Sequence, residues 1–518
     1  MKRHVTLLIN IALLALVTVP VFAASSRGTV NRKPSARIAP ARSARALTDA
    51  LSAIIQSGDL GRSSLGMRVI EADTGRVVFN HNPELPLMPA SNMKVMTSAA
   101  ALSLLRPEYV FSTMFHTTAR PEDGVIKGDL YIKGSGSPQL VGEQWWLMAR
   151  EMRARGITRV DGDLVGDDSY FDSRDRPAGW PGPGEDAFYN APISALSADF
   201  SAVTIVVRPS QVGSPPEVFI TPFSSFFKIV NHAVTRVGTS NLRVGRQFDG
   251  EQNTIVVEGS ISSKSAPSVS YRCVEQPTMY ALSAFREAAA KEGIVIKGGL
   301  RRGATPAGAL KIYEHESPPL AELVRIMNKM SNNCMAESFL KTLGAEASGA
   351  PGTSEKGSAA VLSFLQGLGV DTRGLVIRDG SGLSHENRLT AAALAAVLVG
   401  MYRDFESYPE FMASLPIGGV DGTLDRRMVG GPAQRRIRAK TGHLDGVSSL
   451  SGYAFSHQGK VLTFSILVNE SRDADVWKVR RSIDRLCSAM VESDVPAGDA
   501  AGTLYRAPHA SPPGRPAN

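Results

Sequence analysis

Cysteine is scarce in this chain of 518 residues, which holds three: Cys273, Cys334 and Cys487. Three widely spaced thiols exclude a disulfide scaffold and a CxxC metal knuckle. At most one bridge is possible and none is expected; Cys334 reads as a buried helix cysteine. Beyond the N-terminal segment there is no run of the ~20 apolar residues that a membrane-spanning helix needs, so any membrane association is peripheral. The net charge of +8 comes without a dense Lys/Arg block. That argues against nucleic acid as a partner and permits attraction to an anionic matrix. HExxH, P-loop and GxSxG motifs are missing too, and no metal or cofactor is expected.

What is present begins with Lys2, Arg3 and His4 ahead of an apolar run from Val5 to about Pro20, then Val21-Phe22-Ala23. This is the pattern of a secretory signal peptide (1–23) cleaved after Ala23, which implies export to the periplasm; an uncleaved anchor is the alternative. Residues 24–44 are rich in Ser, Arg and Pro and read as a flexible basic linker. With 43% apolar and 20% charged residues the remainder is globular, and its length predicts two or three domains. A helix near Ala46–Gly61 and a hairpin around Asp73-Thr74-Gly75 lead into LMPASNMKVMTSAAALSLL, read as a buried helix. Residues 112–310 are mostly β, with GVIKGDLYIKGSGSPQL read as a hairpin ending in a Gly/Ser turn, and form an insertion of one or two subdomains. Helical segments return from Pro318, two strands flank His457-Gln458-Gly459, and an amphipathic helix closes the fold. The tail, 496–518, is expected to be disordered.

Three short motifs bear chemistry. Ser91 and Lys94 sit three residues apart at a helix start, hence on one face, as a candidate nucleophile and base. Ser331-Asn332-Asn333 falls at a helix end or between two helices, and Lys440-Thr441-Gly442-His443 at a strand entering a turn. Each alone is weak: capping explains the second, an exposed strand end the third, and Ser338–Lys341 repeats S-x-x-K inside an ordinary helix. S-x-x-K, S-D-N and K-T-G in this order form the signature of penicillin-binding proteins and class A β-lactamases, here with Asn332 in place of Asp.

With ASNMK, MSNNCMAESFLK, RDGSGLSHENRLT and AKTGHLDGVSSLSGYA in order, the sequence resembles the S13 family of D-alanyl-D-alanine carboxypeptidases. GDLYIKGSGSPQL, VDGDLVGDDSYFD and YNAPISALSADFS resemble the family's inserted segments. The resemblance implies an α/β (α+β) fold: a β-lactamase/transpeptidase-like catalytic domain (45–111 plus 311–495), an antiparallel sheet flanked by helices, with the mostly-β insertion between. It implies a serine carboxypeptidase or endopeptidase that acts on peptidoglycan stem peptides and is acylated by β-lactam antibiotics. Ser91 would be the nucleophile, Lys94 its base, Ser331 a proton relay and Asn333 a holder of Lys94 and substrate. Lys440 and Thr441 would receive the substrate carboxylate, with Gly442 between them and His443, and the N–H groups of Ser91 and His443 would hold the oxyanion. Partial desolvation and the neighbouring Lys440 are together expected to depress Lys94. His443 stands where the family usually has Thr or Ser; its ring either binds the carboxylate or faces solvent. Asp379-Gly380-Ser381-Gly382 would form a supporting turn, and Trp180, Asp186 and Tyr189 could read the stem-peptide side chain. A serine β-lactamase and a catalytically idle wall-binding relative are the competing readings.

Overall fold

The computed structural model describes residues 47–222, 224–470 and 474–495. The signal peptide, the basic linker and the tail read from the sequence lie outside these residues. Within them no helix is long and apolar enough to cross a membrane.

The frame is a five-stranded antiparallel sheet whose strands run Ile437–Leu444, Val447–Phe455, Val461–Asn469, Ser64–Glu71 and Arg76–His81 from edge to edge. Strands far apart along the chain meet at its centre, where Ser64 pairs with Asn469 and Glu71 with Leu462. Both faces are covered, which is why Val447–Phe455 is buried along almost its whole length and does not alternate. One face takes the first and last helices, through Leu47 and Leu51 and through Val479, Ile483, Leu486 and Met490. The other takes a helical layer built around Met93–Leu105, whose residues from Met93 to Leu102 are all buried. A helix that is apolar and small on every side belongs inside such a layer.

Ser91 is not in the first α-helical turn. It lies in a 3-10 turn, Ala90–Asn92, that feeds the helix. Ala90 has φ +47° there, a tight entry that lifts Ser91 out of the regular helix.

The segment between Ser112 and Glu316 forms further sheets around a second apolar core. One is five-stranded, in the order Leu300–Arg302, Leu164–Asp167, Leu130–Gly134, Ser112–Thr117, Leu310–Glu316. The hairpin expected in GVIKGDLYIKGSGSPQL does not form. Val125–Ile126 pairs in parallel with Arg159–Val160, while Leu130–Gly134 pairs with Ser112–Thr117 and Leu164–Asp167. Alternation in so short a stretch identifies strands but cannot choose their partners. The helix Pro277–Lys291 is also unread in the sequence, although Pro277 opens it and Tyr280, Ala281, Phe285 and Ala288 recur at helical spacing on its buried face.

Candidate active site

The three motifs converge. Lys94, fully buried, donates to Ser91 Oγ at 3.0 Å, Asn333 Oδ1 at 2.7 Å and the carbonyl of Ser381 at 2.8 Å. Lys440, also fully buried, donates to Ser331 Oγ at 2.9 Å and to the carbonyl of Thr441 at 2.8 Å. Two buried lysines, one on a helix and one on a strand, are thus each aimed at a serine hydroxyl.

Local structure explains the aim. Leu320–Met330 ends at Ser331, which adopts the left-handed conformation (φ +57°), and Asn332 then caps Asn333–Ser348 by accepting from the N–H of Met335 at 2.9 Å. The sharp reversal between two helices turns Ser331 toward Lys440 and Asn333 toward Lys94. On the strand side Asn92 Nδ2 donates to Ser449 Oγ at 2.6 Å, and Ser449 Oγ donates to the carbonyl of Pro89 at 2.7 Å. The strand Ile437–Leu444 can approach this closely only because residue 442 is glycine. A Cβ there would stand 2.1 Å from Ser449 Oγ and 2.7 Å from Pro89 O.

Burial pushes the Lys94 amine from 10.5 down to about 7, against the opposing pull of the Asp379 and Glu337 carboxylates. The expected desolvation is what depresses it, while the expected contribution of Lys440 is not among its causes. The repulsion expected between the two amines acts on Lys440, which burial first and Lys94 second hold well below the usual lysine range. Its partners here are neutral oxygens, so an incoming carboxylate would restore its charge.

Thr441 Oγ1 lies 2.7 Å from Thr423 Oγ1, a partner that the sequence did not indicate because it comes from a separate turn. His443 is exposed, with Nδ1 3.2 Å from the carbonyl of Val447 across its own turn.

The Asp379–Gly382 turn does more than abut the site. Asp379 accepts from the N–H groups of Ser381 at 3.0 Å and of Gly382, and from Ser384 N at 2.6 Å. It also accepts from Trp180 Nε1 at 2.8 Å. Trp180 is therefore spent on bracing this turn. Asp186 accepts from the N–H of Arg246 at 2.7 Å and pairs with Arg272 at 3.1 Å. Of the three loop residues only Tyr189 borders the site, its carbonyl accepting from Asn333 Nδ2 at 2.9 Å. The repeated S-x-x-K is elsewhere: Lys341 Nζ donates to Asp172 Oδ1 at 2.7 Å and to the carbonyl of Arg174 at 2.6 Å.

All three cysteines are free and buried. No group of three or more His, Cys, Asp or Glu side chains placed to hold a metal occurs among the described residues. A cavity of about 500 Å³ lined by Asp168, Asp175, Glu275 and Arg302 contains none of the motif residues.

The D-Ala-D-Ala carboxypeptidase 3 (S13) family model matches residues 47–490. The chain belongs to this family. A D-alanyl-D-alanine carboxypeptidase of Actinomadura sp. (strain R39) is 36% identical over 88% of this chain and 86% of that protein. The D-alanyl-D-alanine carboxypeptidase DacB of Haemophilus influenzae is 26% identical over 80% of this chain and 87% of that protein. In fold, the chain is similar to the crystal structure of penicillin binding protein 4 (dacB) from Haemophilus influenzae. The match has a TM-score of 0.74 at 24% identity, over 85% of this chain and 97% of that one. The α/β architecture expected of the S13 family, helices on an antiparallel sheet with a large mostly-β insertion, is the architecture found. Unread in the S13 site were Thr423, the Ser381 carbonyl and the buried Glu337. The last was within reach, being an acidic residue in an apolar helical run four positions after Asn333.

Proposed function

We propose that the protein is a serine-type D-Ala-D-Ala carboxypeptidase/endopeptidase that cleaves peptidoglycan stem peptides and cross-links through an acyl-enzyme on Ser91. The single observation that carries this reading is the Lys94 amine, buried, held near neutrality and 3.0 Å from Ser91 Oγ. A neutral amine has two N–H bonds; Asn333 Oδ1 and the Ser381 carbonyl take both, leaving the lone pair for the Ser91 hydroxyl.

Ser91 Oγ attacks the carbonyl carbon of the penultimate D-alanine while its proton passes to Lys94 Nζ. The backbone N–H groups of Ser91 and His443 receive the oxyanion. The C–N bond then breaks, and the departing amine takes a proton delivered from Lys94 through Ser331. Water hydrolyses the ester, with Lys94 again accepting the proton. Lys440 and Thr441 bind the terminal carboxylate, and Asn333 holds Lys94 and the substrate amide. A β-lactam enters the same path as far as the ester and stays there. The three partners of Lys94 include no carboxylate that could serve as a fast deacylating base, which favours the peptidase over a β-lactamase. The same constellation disfavours an idle wall-binding role.

The reading extends to a catalytic unit of 45–111 plus 311–495 interrupted by 112–310, and to export with cleavage after Ala23. Mass spectrometry after exposure to benzylpenicillin tests the function. One adduct on Ser91, slowly released, is expected, with stem-peptide cleavage lost in Ser91→Ala. Cleavage that survives in Ser91→Ala would refute the reading.

A further inference from the structure

Beneath Lys94 lies a carboxylate with no part in the steps above. Glu337 is on the Asn333–Ser348 helix, four residues after Asn333 and therefore on the same face. It is fully buried. One of its oxygens accepts from the Ser354 hydroxyl, the other from the backbone N–H of Gly380 at 2.7 Å. That second bond ties the helix to the turn whose Ser381 carbonyl receives Lys94 at 2.8 Å and whose Gly380 carbonyl receives Thr97 Oγ1 at 2.7 Å. Asn333 holds the amine directly; Glu337 holds the turn that holds it.

We infer that Glu337 is a positioning residue for Lys94: it fixes the Ser381 carbonyl against the amine and sets a negative charge beneath it. The inference rests on the serine-peptidase reading. Several ionisable groups act on Glu337. Asp379 of the turn opposes its charge and Lys341, four residues along the same helix, favours it. Lys94 faces it from the Ser91 helix. Cys334, in the preceding turn, stays a neutral thiol because burial lifts it to about 12. Lys94 also acts on Lys440 of the strand Ile437–Leu444, holding it further below the usual lysine range. Burial first, then Asp379, raises Glu337 to about 7, the range into which Lys94 has fallen. An ionised Glu337 keeps Lys94 protonated to higher pH.

The experiment measures the rate of benzylpenicillin acylation against pH for the full-length wild type, Glu337→Gln and Ser354→Ala, with a melting curve for each. Gln keeps an acceptor oxygen and cannot ionise, so the acid limb should move to lower pH by about one unit. Ser354 donates to the ionised form, so Ser354→Ala should move the limb the same way by less. A folded Glu337→Gln protein with an unmoved limb overturns the inference, because a purely structural role would lower only the melting temperature. If Glu337→Gln does not fold, an unmoved limb in Ser354→Ala overturns it. A wild type that forms no adduct on Ser91 would instead refute the peptidase reading itself.

Discussion

Acylation should switch on with rising pH around neutrality, and Lys94 sets the sign. Only the neutral amine can accept the Ser91 proton, so the rate follows the deprotonated fraction of Lys94. With the amine at its ordinary 10.5, that fraction at pH 7 is about 0.03%; at about 7 it is about half, a gain of more than about a thousandfold. The cost is the burial of an ammonium with no carboxylate in contact. The displacement corresponds to roughly 5 kcal/mol, taken from a side chain that is 0% exposed. The assay is stopped-flow acylation by benzylpenicillin from about pH 5 to about pH 9, with the adduct on Ser91 confirmed by mass spectrometry. Below about pH 7 the rate should fall tenfold per pH unit, reaching a few per cent of its plateau near pH 5.5, and above it the rate should level off. A profile flat across this range, or one still climbing at about pH 9, would refute the assignment of Lys94 as a base tuned by desolvation.

Three further outcomes are expected. Gly382 has φ +84°, and a Cβ there would stand 1.8 Å from the carbonyl of Ala90. Gly382→Ala should therefore displace the Ser91 turn, slow acylation by about tenfold or more and cost about 1–3 kcal/mol on denaturant unfolding, and unchanged acylation would count against the close approach. Lys341→Ala breaks a pair buried on the lysine side, and because Asp172 keeps some solvent the loss should be below the ~3 kcal/mol of a fully buried pair. The Ser91 adduct should still form in that variant, and its absence would mean that the second S-x-x-K matters to catalysis. His443→Ser should leave the acid side of the pH profile unmoved, since the ring is exposed and turned toward Val447. A selective loss of acid-side activity would restore a carboxylate-binding role for that ring.

Much of the site was legible because its chemistry is local in sequence. Ser91 and Lys94 sit three residues apart where a 3-10 turn enters a helix, Ser331 and Asn333 flank a helix break, and Lys440 lies within the strand Ile437–Leu444 and not, as expected, at its end before a turn. The fold class was legible through the resemblance and the texture: small, apolar helices, a β-rich middle and two final strands. Partner choice was not. The Val125–Ile126 and Leu130–Gly134 segments look like neighbours, yet each pairs with strands distant in sequence. Trp180 looked like a substrate reader, and only its 2.8 Å bond to Asp379 shows that it braces the turn behind Lys94. Nothing in a linear string says which way an indole will point.

By itself, the sequence determined the candidate reacting groups and their order, because S-x-x-K, S-N-N and K-T-G each lie within a few consecutive residues. Tertiary structure decided the state of those groups. The fall of Lys94 to about 7 depends on how completely it is desolvated, and on Asp379 and Glu337 lying near enough to resist that fall. These residues are 285 and 243 positions away along the chain. Electrostatic energy depends on separation and burial in space, and neither is a property of spacing along the chain.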